Sequence, residues 1–359
     1  MLYITFQEYN ETYISITTQF VMTSNKVAVI LGANSNLGLN IALRLVELED
    51  PKSNITFIVT SRTQERAEEA AKKIEGSIRT IERPGKVKFD SFVVDLTSMK
   101  SVKTFANELN SKYKEINYFF NNAALGLCDG INWLRAILEV CTSPKKAVTD
   151  PGYRIQKKGV VSDDGMGYVF QANVFGAYFL IHQLLDPLSK GKASVVWISS
   201  ICSTSKYLSL SDIELIGSDR PYDGSKRIID LLQLATYKEL KSKGIYQYVV
   251  QPGIFISQSF SQQLNIFTYW AMFLLFKLAR FWGSFWHTID GYKAANSAVY
   301  AATFVDKDFE RQDLKYGSAT YNDGAEYIKP QEIEEEGKNL VYKYVESKRL
   351  EWEDKLKDE

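Results

Sequence analysis

Histidine and cysteine are scarce in this chain, which has two histidines and three cysteines among 359 residues. Cys128, Cys141 and Cys202 are odd in number and lack the spacing of metal ligands. This scarcity argues against a disulfide framework and favours a reducing compartment. We therefore expect no metal centre in this protein.

Excess charge of either sign and long apolar runs are also lacking. Lysine plus arginine equals aspartate plus glutamate at 43 each, so no overall field favours nucleic acid. No uncharged apolar run reaches the roughly 18 residues of a conventional membrane span. Residues 1–24 do not resemble a signal peptide, and we interpret them as a disordered extension. The alternative is that translation begins at Met22.

Strand-like and helix-like segments alternate along the chain. Short β-branched runs predict strands at 26–31, 55–61, 87–94, 116–120, 193–199 and 245–250. This alternation predicts an α/β fold, with a Rossmann-like, doubly wound parallel sheet in a single domain over residues 25–330. The charge-rich stretch 331–359 predicts a solvated C-terminal helix.

A glycine-containing loop follows the first strand directly. Its residues are Gly32-Ala33-Asn34-Ser35-Asn36-Leu37-Gly38, and an apolar helix comes next. Backbone N–H groups at such a turn can bind a pyrophosphate, with Gly32 allowing the tight turn and Gly38 close packing. Asn36 replaces the usual middle glycine, and asparagine tolerates the left-handed region. Taken alone, the pattern also fits an ordinary strand-to-helix turn.

Further candidate cofactor residues follow the next three strands. Arg62 lies where NAD-specific proteins usually have an acidic residue, and a guanidinium there can pair with a 2′-phosphate. Asp95-Leu96 and Asn122-Ala123 follow the third and fourth strands. We therefore predict an NADPH site at this edge, the alternative for Arg62 being a solvated surface side chain.

Tyr222 and Lys226 open a predicted helix and are four residues apart, so they share one face. A nearby ammonium is expected to lower the pKa of the phenol. Tyr222 could then exchange a proton with a carbonyl or carbinol oxygen. By itself this spacing also fits a surface pair.

Together, the order and placement of these motifs over residues 26–257 resemble the short-chain dehydrogenase/reductase family. The resemblance implies that Tyr222 is the general acid and that Ser200 hydrogen-bonds the carbonyl. It further implies that Lys226 holds the nicotinamide ribose and that Asn173 supports this lysine through water.

The same resemblance implies that Pro252, Gly253 and Ser257 contact the nicotinamide end of the cofactor. The sequence departs from the family pattern at Leu31, Asn36 and Ala124. These departures put individual contacts in doubt more than the assignment.

Insertions near 127–165, 203–221 and 258–290 all follow strand ends on the ligand side of the sheet. We expect them to build a deep apolar enclosure for a large substrate, the alternative being ordinary variation in loop length.

The segments beginning at Tyr153 and Ser211 are similar to the fungal 3-keto-steroid reductases of sterol C-4 demethylation, and more distantly to a vertebrate 17β-hydroxysteroid dehydrogenase. This resemblance implies NADPH-dependent reduction of a 3-keto sterol to the 3β-hydroxy sterol in ergosterol-type biosynthesis. It also implies other C-4 demethylation enzymes as partners, at the cytosolic face of the endoplasmic reticulum membrane or at lipid droplets. The alternatives are a general carbonyl or retinoid reductase, a 17β-hydroxysteroid reductase, and a reductase-like membrane scaffold.

Residues 264–286 contain nine aromatic side chains and only two charges, Lys277 and Arg280. If one helix ran through this segment, these two cations would form a narrow polar stripe with Ser284 and His287. We predict that the segment both covers the substrate pocket and lies on the membrane surface.

Overall fold

The computed structural model describes residues 24–256, 265–303 and 311–357. These residues form an eight-stranded sheet in the order β10-β9-β8-β7-β4-β1-β2-β3, and a separate two-stranded sheet, β5-β6. The strands are β1 (Asn25–Leu31), β2 (Asn54–Ser61), β3 (Val87–Val93), β4 (Tyr118–Asn121), β5 (Cys128–Ile131), β6 (Arg154–Gln156), β7 (Ser194–Ile198), β8 (Tyr246–Gln251), β9 (Leu314–Thr320) and β10 (Glu326–Glu332).

Helices connect the strands and cover both faces of the large sheet. A π-helical turn, Gln171–Phe175, joins α6 to α7, and a short 3₁₀ turn lies at Ser205–Tyr207. The α-helices are α1 (Asn36–Leu48), α2 (Gln64–Ile78), α3 (Met99–Lys112), α4 (Trp133–Thr142), α5 (Pro144–Thr149), α6 (Tyr168–Phe170), α7 (Gly176–Gln183), α8 (Leu185–Lys190), α9 (Pro221–Ser242), α10 (Ile266–Phe281), α11 (Gly291–Ala294), α12 (Asn296–Thr303) and α13 (Lys338–Lys355).

The large sheet is parallel from β3 to β9, and only β10 pairs antiparallel. From β1 the chain first adds β2 and β3 on one side and then returns to place β4 on the other. This reversal creates a crevice at the carboxyl ends of β1 and β4, where open α/β sheets bind ligands. The predicted doubly wound fold is confirmed, and the six predicted strands agree within two residues at each end.

Alternate residues of β1 face two separate hydrophobic layers, as a strand buried on both faces requires. Ala28 and Ile30 point into a layer built on α1, α2 and α12, whereas Val29 and Leu31 point into one built on α3, α7 and α9. Burial on both faces explains why the strand sequences are almost continuously apolar.

Two expectations for the C-terminal third of the chain need correction. The stretch 331–359 is not simply a solvated helix, because β10 occupies its start and Val341 and Val345 of α13 are fully buried in the core. The polar stripe expected for one helix through His287 does not form. Helix α10 ends at Phe281, and Gly283 then adopts a left-handed φ of +83° that turns the chain back.

A buried ion pair ties the sheet to α9. Nζ of Lys315 on β9 donates to Oδ2 of Asp230 at 2.7 Å and to Oγ of Ser203 at 2.6 Å. The side chains of Lys315 and Asp230 are only 9% and 1% exposed. Removing one partner would leave a buried charge uncompensated.

We expect Lys315→Met to lower the free energy of unfolding by about 3–5 kcal/mol, because the carboxylate of Asp230 would lose its buried cation. Chemical denaturation followed by circular dichroism measures the change. Lys190→Met is the matched control, since its pair with Asp186 is exposed and should matter much less. Equal losses in the two variants would show that burial does not set the contribution of the Lys315 pair.

Candidate active site

The loop between β1 and α1 has the two glycine roles predicted from the sequence. Gly32 has φ +71°, and a Cβ on it would lie 2.9 Å from Cα of Ala123. A Cβ on Gly38 would lie 2.6 Å from the carbonyl oxygen of Gly32. Only glycine therefore permits this close approach of the turn to the helix and to the end of β4.

Side chains tie the loop to its neighbours. Ser35 caps α1, since its Oγ accepts from the N–H of Gly38 at 3.0 Å. Nδ2 of Asn122, just after β4, donates to the carbonyl oxygens of Leu31 (3.1 Å) and Gly32 (2.9 Å) and to Oγ of Ser35 (3.1 Å). Asn122 therefore holds the loop in place across the crevice between β1 and β4.

Asn36 does not use the left-handed conformation expected of it. It is the first residue of α1, and it is not among the described residues with positive φ. Its Nδ2 instead donates to the carbonyl oxygen of Ile256 at 2.9 Å. The substitution for glycine thus adds a side chain that ties the loop to the segment after β8.

The remaining candidate cofactor residues lie along the same edge of the sheet. Asn34 is exposed and Leu37 is buried in the loop region. Oδ1 of Asp95 accepts from the N–H and hydroxyl of Thr97, and Leu96 is buried next to it. These hydrogen bonds use Oδ1 of Asp95 to stabilise the turn that contains it.

Arg62 follows β2 directly and its side chain is exposed at this edge. The close glycine contacts and the N-terminus of α1 fit a pyrophosphate, whose oxygens backbone N–H groups can bind. A guanidinium after β2 fits the 2′-phosphate of NADP(H).

After β8, Pro252 and Gly253 turn the chain toward the crevice. Gly253 has φ +73°, and its N–H donates to Oε1 of Gln251 at 2.9 Å. Oγ1 of Thr288 donates to the carbonyl oxygen of Pro252 at 3.1 Å. Ser257 lies outside the described residues.

Tyr222 and Lys226 lie on the first turns of α9, as predicted. Nζ of Lys226 is 5.5 Å from the ring centroid of Tyr222 and donates to the carbonyl oxygen of Ile198, the last residue of β7, at 2.7 Å. Ser200 follows two residues later, and its Oγ accepts from the N–H of Cys202 at 3.1 Å. Strand β7 and helix α9 therefore bring the candidate catalytic residues to one end of the sheet.

Asn173 lies in the π-helical turn and is fully buried. Its Oδ1 accepts from the N–H of Leu125 at 2.7 Å, and its Nδ2 donates to the carbonyl oxygen of Leu125 and to Oγ of Ser225, both at 2.9 Å. Oγ of Ser225 in turn donates to the carbonyl oxygen of Tyr222 at 2.6 Å. Through these described contacts Asn173 supports α9 beside Lys226 and fixes the segment after β4.

The expected lowering of the pKa of Tyr222 is wrong for this structure. Burial raises the pKa of Tyr222, and the adjacent carboxylate of Asp223 raises it further, against a smaller opposing effect of Arg154. Burial also lowers the pKa of Lys226 to about 8, with Asp230 opposing that change. The phenol is consequently protonated at neutral pH, which is the form that a general acid needs in reduction.

A polar network around the start of α9 was missed by the sequence reading. Gln156 of β6 accepts from the N–H of Tyr222 at 2.9 Å and donates to Oδ2 of Asp223 at 2.7 Å. Arg220 donates to the same oxygen at 2.6 Å and pairs with Asp150 at 3.2 Å. Arg220 and Asp223 flank Tyr222 in the sequence, which was a usable signal. Asp150 and Gln156 are about 70 residues away and carried none.

No cluster of three or more histidine, cysteine or acidic side chains that could hold a metal occurs among the described residues.

The sequence pattern of the family described as "short chain dehydrogenase" matches residues 26–265. The chain therefore belongs to the short-chain dehydrogenase family and is an oxidoreductase.

Named relatives cover nearly the whole chain. A 3-keto-steroid reductase from Candida glabrata is 57% identical over 340 residues, which cover 94% of this chain and 98% of the relative. The 3-keto-steroid reductase ERG27 from Saccharomyces cerevisiae is 54% identical over 342 residues, with 94% and 97% covered.

Solved structures share the fold at low sequence identity. L-Sorbose reductase from Gluconobacter frateurii, complexed with NADPH and L-sorbose, aligns with a TM-score of 0.54 at 17% identity, over 78% of this chain and 90% of that one. RhlG from Pseudomonas aeruginosa, in an NADP complex, aligns with a TM-score of 0.53 at 18% identity, with 78% and 90% covered.

We expect Tyr222→Phe to abolish ketone reduction while NADPH binding stays near that of the unmodified protein, because only the proton donor is lost. Lys226→Met should impair both properties. Steady-state kinetics and fluorescence titration with NADPH measure the two effects. Substantial turnover by Tyr222→Phe at neutral pH would contradict the assignment of the general acid.

Proposed function

We propose that this protein reduces the carbonyl of a 3-keto sterol to the 3β-hydroxyl with NADPH, within the C-4 demethylation steps of ergosterol-type sterol biosynthesis. The observation that carries the proposal is the placement of Tyr222 next to Lys226, which is bonded to the last residue of the strand before Ser200, in a chain 54–57% identical to proteins named 3-keto-steroid reductase. Other enzymes of C-4 demethylation are the partners that this role implies.

The residues of the chain act on the carbonyl oxygen. In this proposal a bound NADPH supplies the hydride to the carbonyl carbon. The phenol of Tyr222 donates its proton to the oxygen, and the hydroxyl of Ser200 hydrogen-bonds that oxygen before transfer. Lys226, which is anchored on Ile198 with its Nζ 5.5 Å from the centroid of the Tyr222 ring, would hold the nicotinamide ribose.

The surroundings of Tyr222 suit a broad apolar substrate. A Cβ on Gly126 would lie 3.5 Å from Cδ2 of Tyr222, so this glycine lies directly against the ring. Helix α10 brings Met272 and Phe276 into an apolar cluster with Ile254, just after β8. A flat ring system gains from burial against such walls.

The deciding experiment measures NADPH oxidation by the purified protein with a 4-methylated 3-keto sterol. Retinal, a 17-keto steroid and a short aliphatic ketone are the comparison substrates, and Tyr222→Phe is the inactive control. We expect the largest kcat/KM for the sterol. A higher value for another ketone would overturn the proposed substrate, and no turnover of any ketone would favour a scaffold role.

For the cofactor, we expect Arg62→Asp to weaken NADPH binding by about 2 kcal/mol, or roughly thirtyfold, because a charge-assisted pair with the 2′-phosphate is lost. NADH binding should change much less. Fluorescence titration with both nucleotides measures the difference.

Arg79→Asp is the matched control, since Arg79 is also exposed but lies at the other end of α2. It makes the same change in net charge away from the nucleotide loop. Equal losses for NADPH and NADH in Arg62→Asp would show that Arg62 acts structurally.

A further inference from the structure

Exposed apolar side chains concentrate on one part of the surface. Eighteen large hydrophobic residues are exposed in the described part of the chain, and ten of them lie on α4 or on α10 and the turn after it. These ten, called the apolar face below, are Trp133, Leu134, Ile137, Leu138, Ile266, Phe267, Trp270, Leu274, Phe281 and Trp282. Scattered exposed hydrophobics are ordinary, but a patch of this kind marks an interaction site.

Helix α10 is apolar on two opposite sides. Met272, Phe276 and Ala279 are buried and pack with Ile289 and Val148 in a small core. Phe267, Trp270, Leu274 and Phe281 recur at spacings of three, four and seven residues, so they share another side, and Phe267 is 82% exposed. Packing within the chain therefore accounts for only one side of this helix.

Helix α4 has the reverse of the amphipathic pattern usual in a surface helix. Its one buried residue is Ala136, whereas Leu134, Ile137 and Leu138 are exposed, with Leu134 at 79%. A helix whose leucines face outward and whose alanine faces inward gains little free energy from burying apolar surface on folding. The exposed leucines and isoleucine of α4 fit an apolar environment better than water.

Helix α5 joins these two helices into one surface. It contacts α4 on one side and α10 on the other, and its Val148 is part of the core beneath α10. Two exposed lysines, Lys145 and Lys146, therefore lie on the helix that contacts both α4 and α10.

The charge on these three helices is almost entirely positive. Arg135, Lys145, Lys146 and Lys277 are exposed, while Glu139 is the single carboxylate and is paired with Arg135 at 2.9 Å. Aromatic and aliphatic side chains interspersed with cations suit the interface of a membrane with anionic lipid headgroups. A second copy of the chain would present the same positive charges and no matching excess of negative charge.

We propose that the apolar face docks on the surface of a membrane that contains anionic lipids. None of the described helices has the length and hydropathy needed to cross a bilayer. In the proposed docking, the exposed side chains of α4 and α10 enter the boundary between headgroups and acyl chains, and the lysines contact lipid phosphates.

The apolar face is linked to the candidate active site through α5. The carbonyl oxygen of Thr149 accepts from Sγ of Cys202 at 3.7 Å, two residues after Ser200. Asp150, which follows α5, pairs with Arg220 next to the start of α9. If the proposed sterol substrate is correct, on which this step rests, docking places the pocket where a sterol enters from lipid without crossing water.

The test uses the full chain in flotation with phosphatidylcholine vesicles, with and without phosphatidylserine. Two variants remove the apolar face in parts: Leu134→Ser with Leu138→Ser on α4, and Phe267→Ser with Trp270→Ser and Leu274→Ser on α10. We expect each to lower the vesicle partition coefficient at least tenfold. The matched control is Leu340→Ser with Leu350→Ser on α13, exposed leucines at 47% and 53%, which should bind unchanged.

A charge variant separates the electrostatic part of the interaction. Lys145→Gln with Lys146→Gln and Lys277→Gln should weaken binding to phosphatidylserine vesicles by about fivefold per lysine. Binding to phosphatidylcholine alone should hardly change. Equal effects on both vesicles would overturn the role assigned to anionic lipid.

Turnover of a short soluble ketone is measured on every variant. Lost flotation with retained soluble-ketone turnover supports docking, and this holds whether or not a sterol is the substrate. Failure of the unmodified protein to bind either vesicle overturns the proposal. Analytical ultracentrifugation tests the alternative occupant. If the unmodified protein self-associates and the two apolar variants do not, the face is an interface between copies and the proposal is overturned.

Discussion

The candidate active site depends on one buried hydrogen bond, from the ammonium of Lys226 to the carbonyl oxygen of Ile198. A buried cation is costly unless such a partner satisfies it, so this contact allows little shift of α9 along the sheet. Because Ile198 ends β7 and Ser200 follows two residues later, the bond brings the first turn of α9 to the carboxyl edge where Ser200 lies. The position of Tyr222, four residues before Lys226, follows from it.

Two insertions reinforce this position from outside the sheet. The segment between β4 and α6 supplies Gln156 and Asp150, and the segment before α9 supplies Arg220. Their hydrogen bonds converge on Asp223 and on the N–H of Tyr222, so changes in either insertion act on the orientation of the phenol. The insertions therefore hold Tyr222 in place, in addition to any role in forming the pocket.

Certain buried polar side chains are hydrogen-bonded to one another, whereas many apolar side chains are exposed on one part of the surface. Lys315, Asp230 and Ser203 are buried and bonded to one another, and Asn173 uses both atoms of its amide. On the surface, α4 and α10 leave aromatic and aliphatic side chains in water, which folding alone does not favour. The proposed docking on a membrane would cover these side chains.

Local sequence determined the alternating strands and helices, the two glycines of the loop, and the spacing of Tyr222 and Lys226, because periodicity and backbone sterics act over a few residues. The tertiary structure alone decided what depends on distant partners. It gave Asn36 a helical conformation and a contact with Ile256, and it raised the pKa of Tyr222 through burial. Hydrogen bonds and desolvation between segments far apart in the chain set these features, and no local pattern records them.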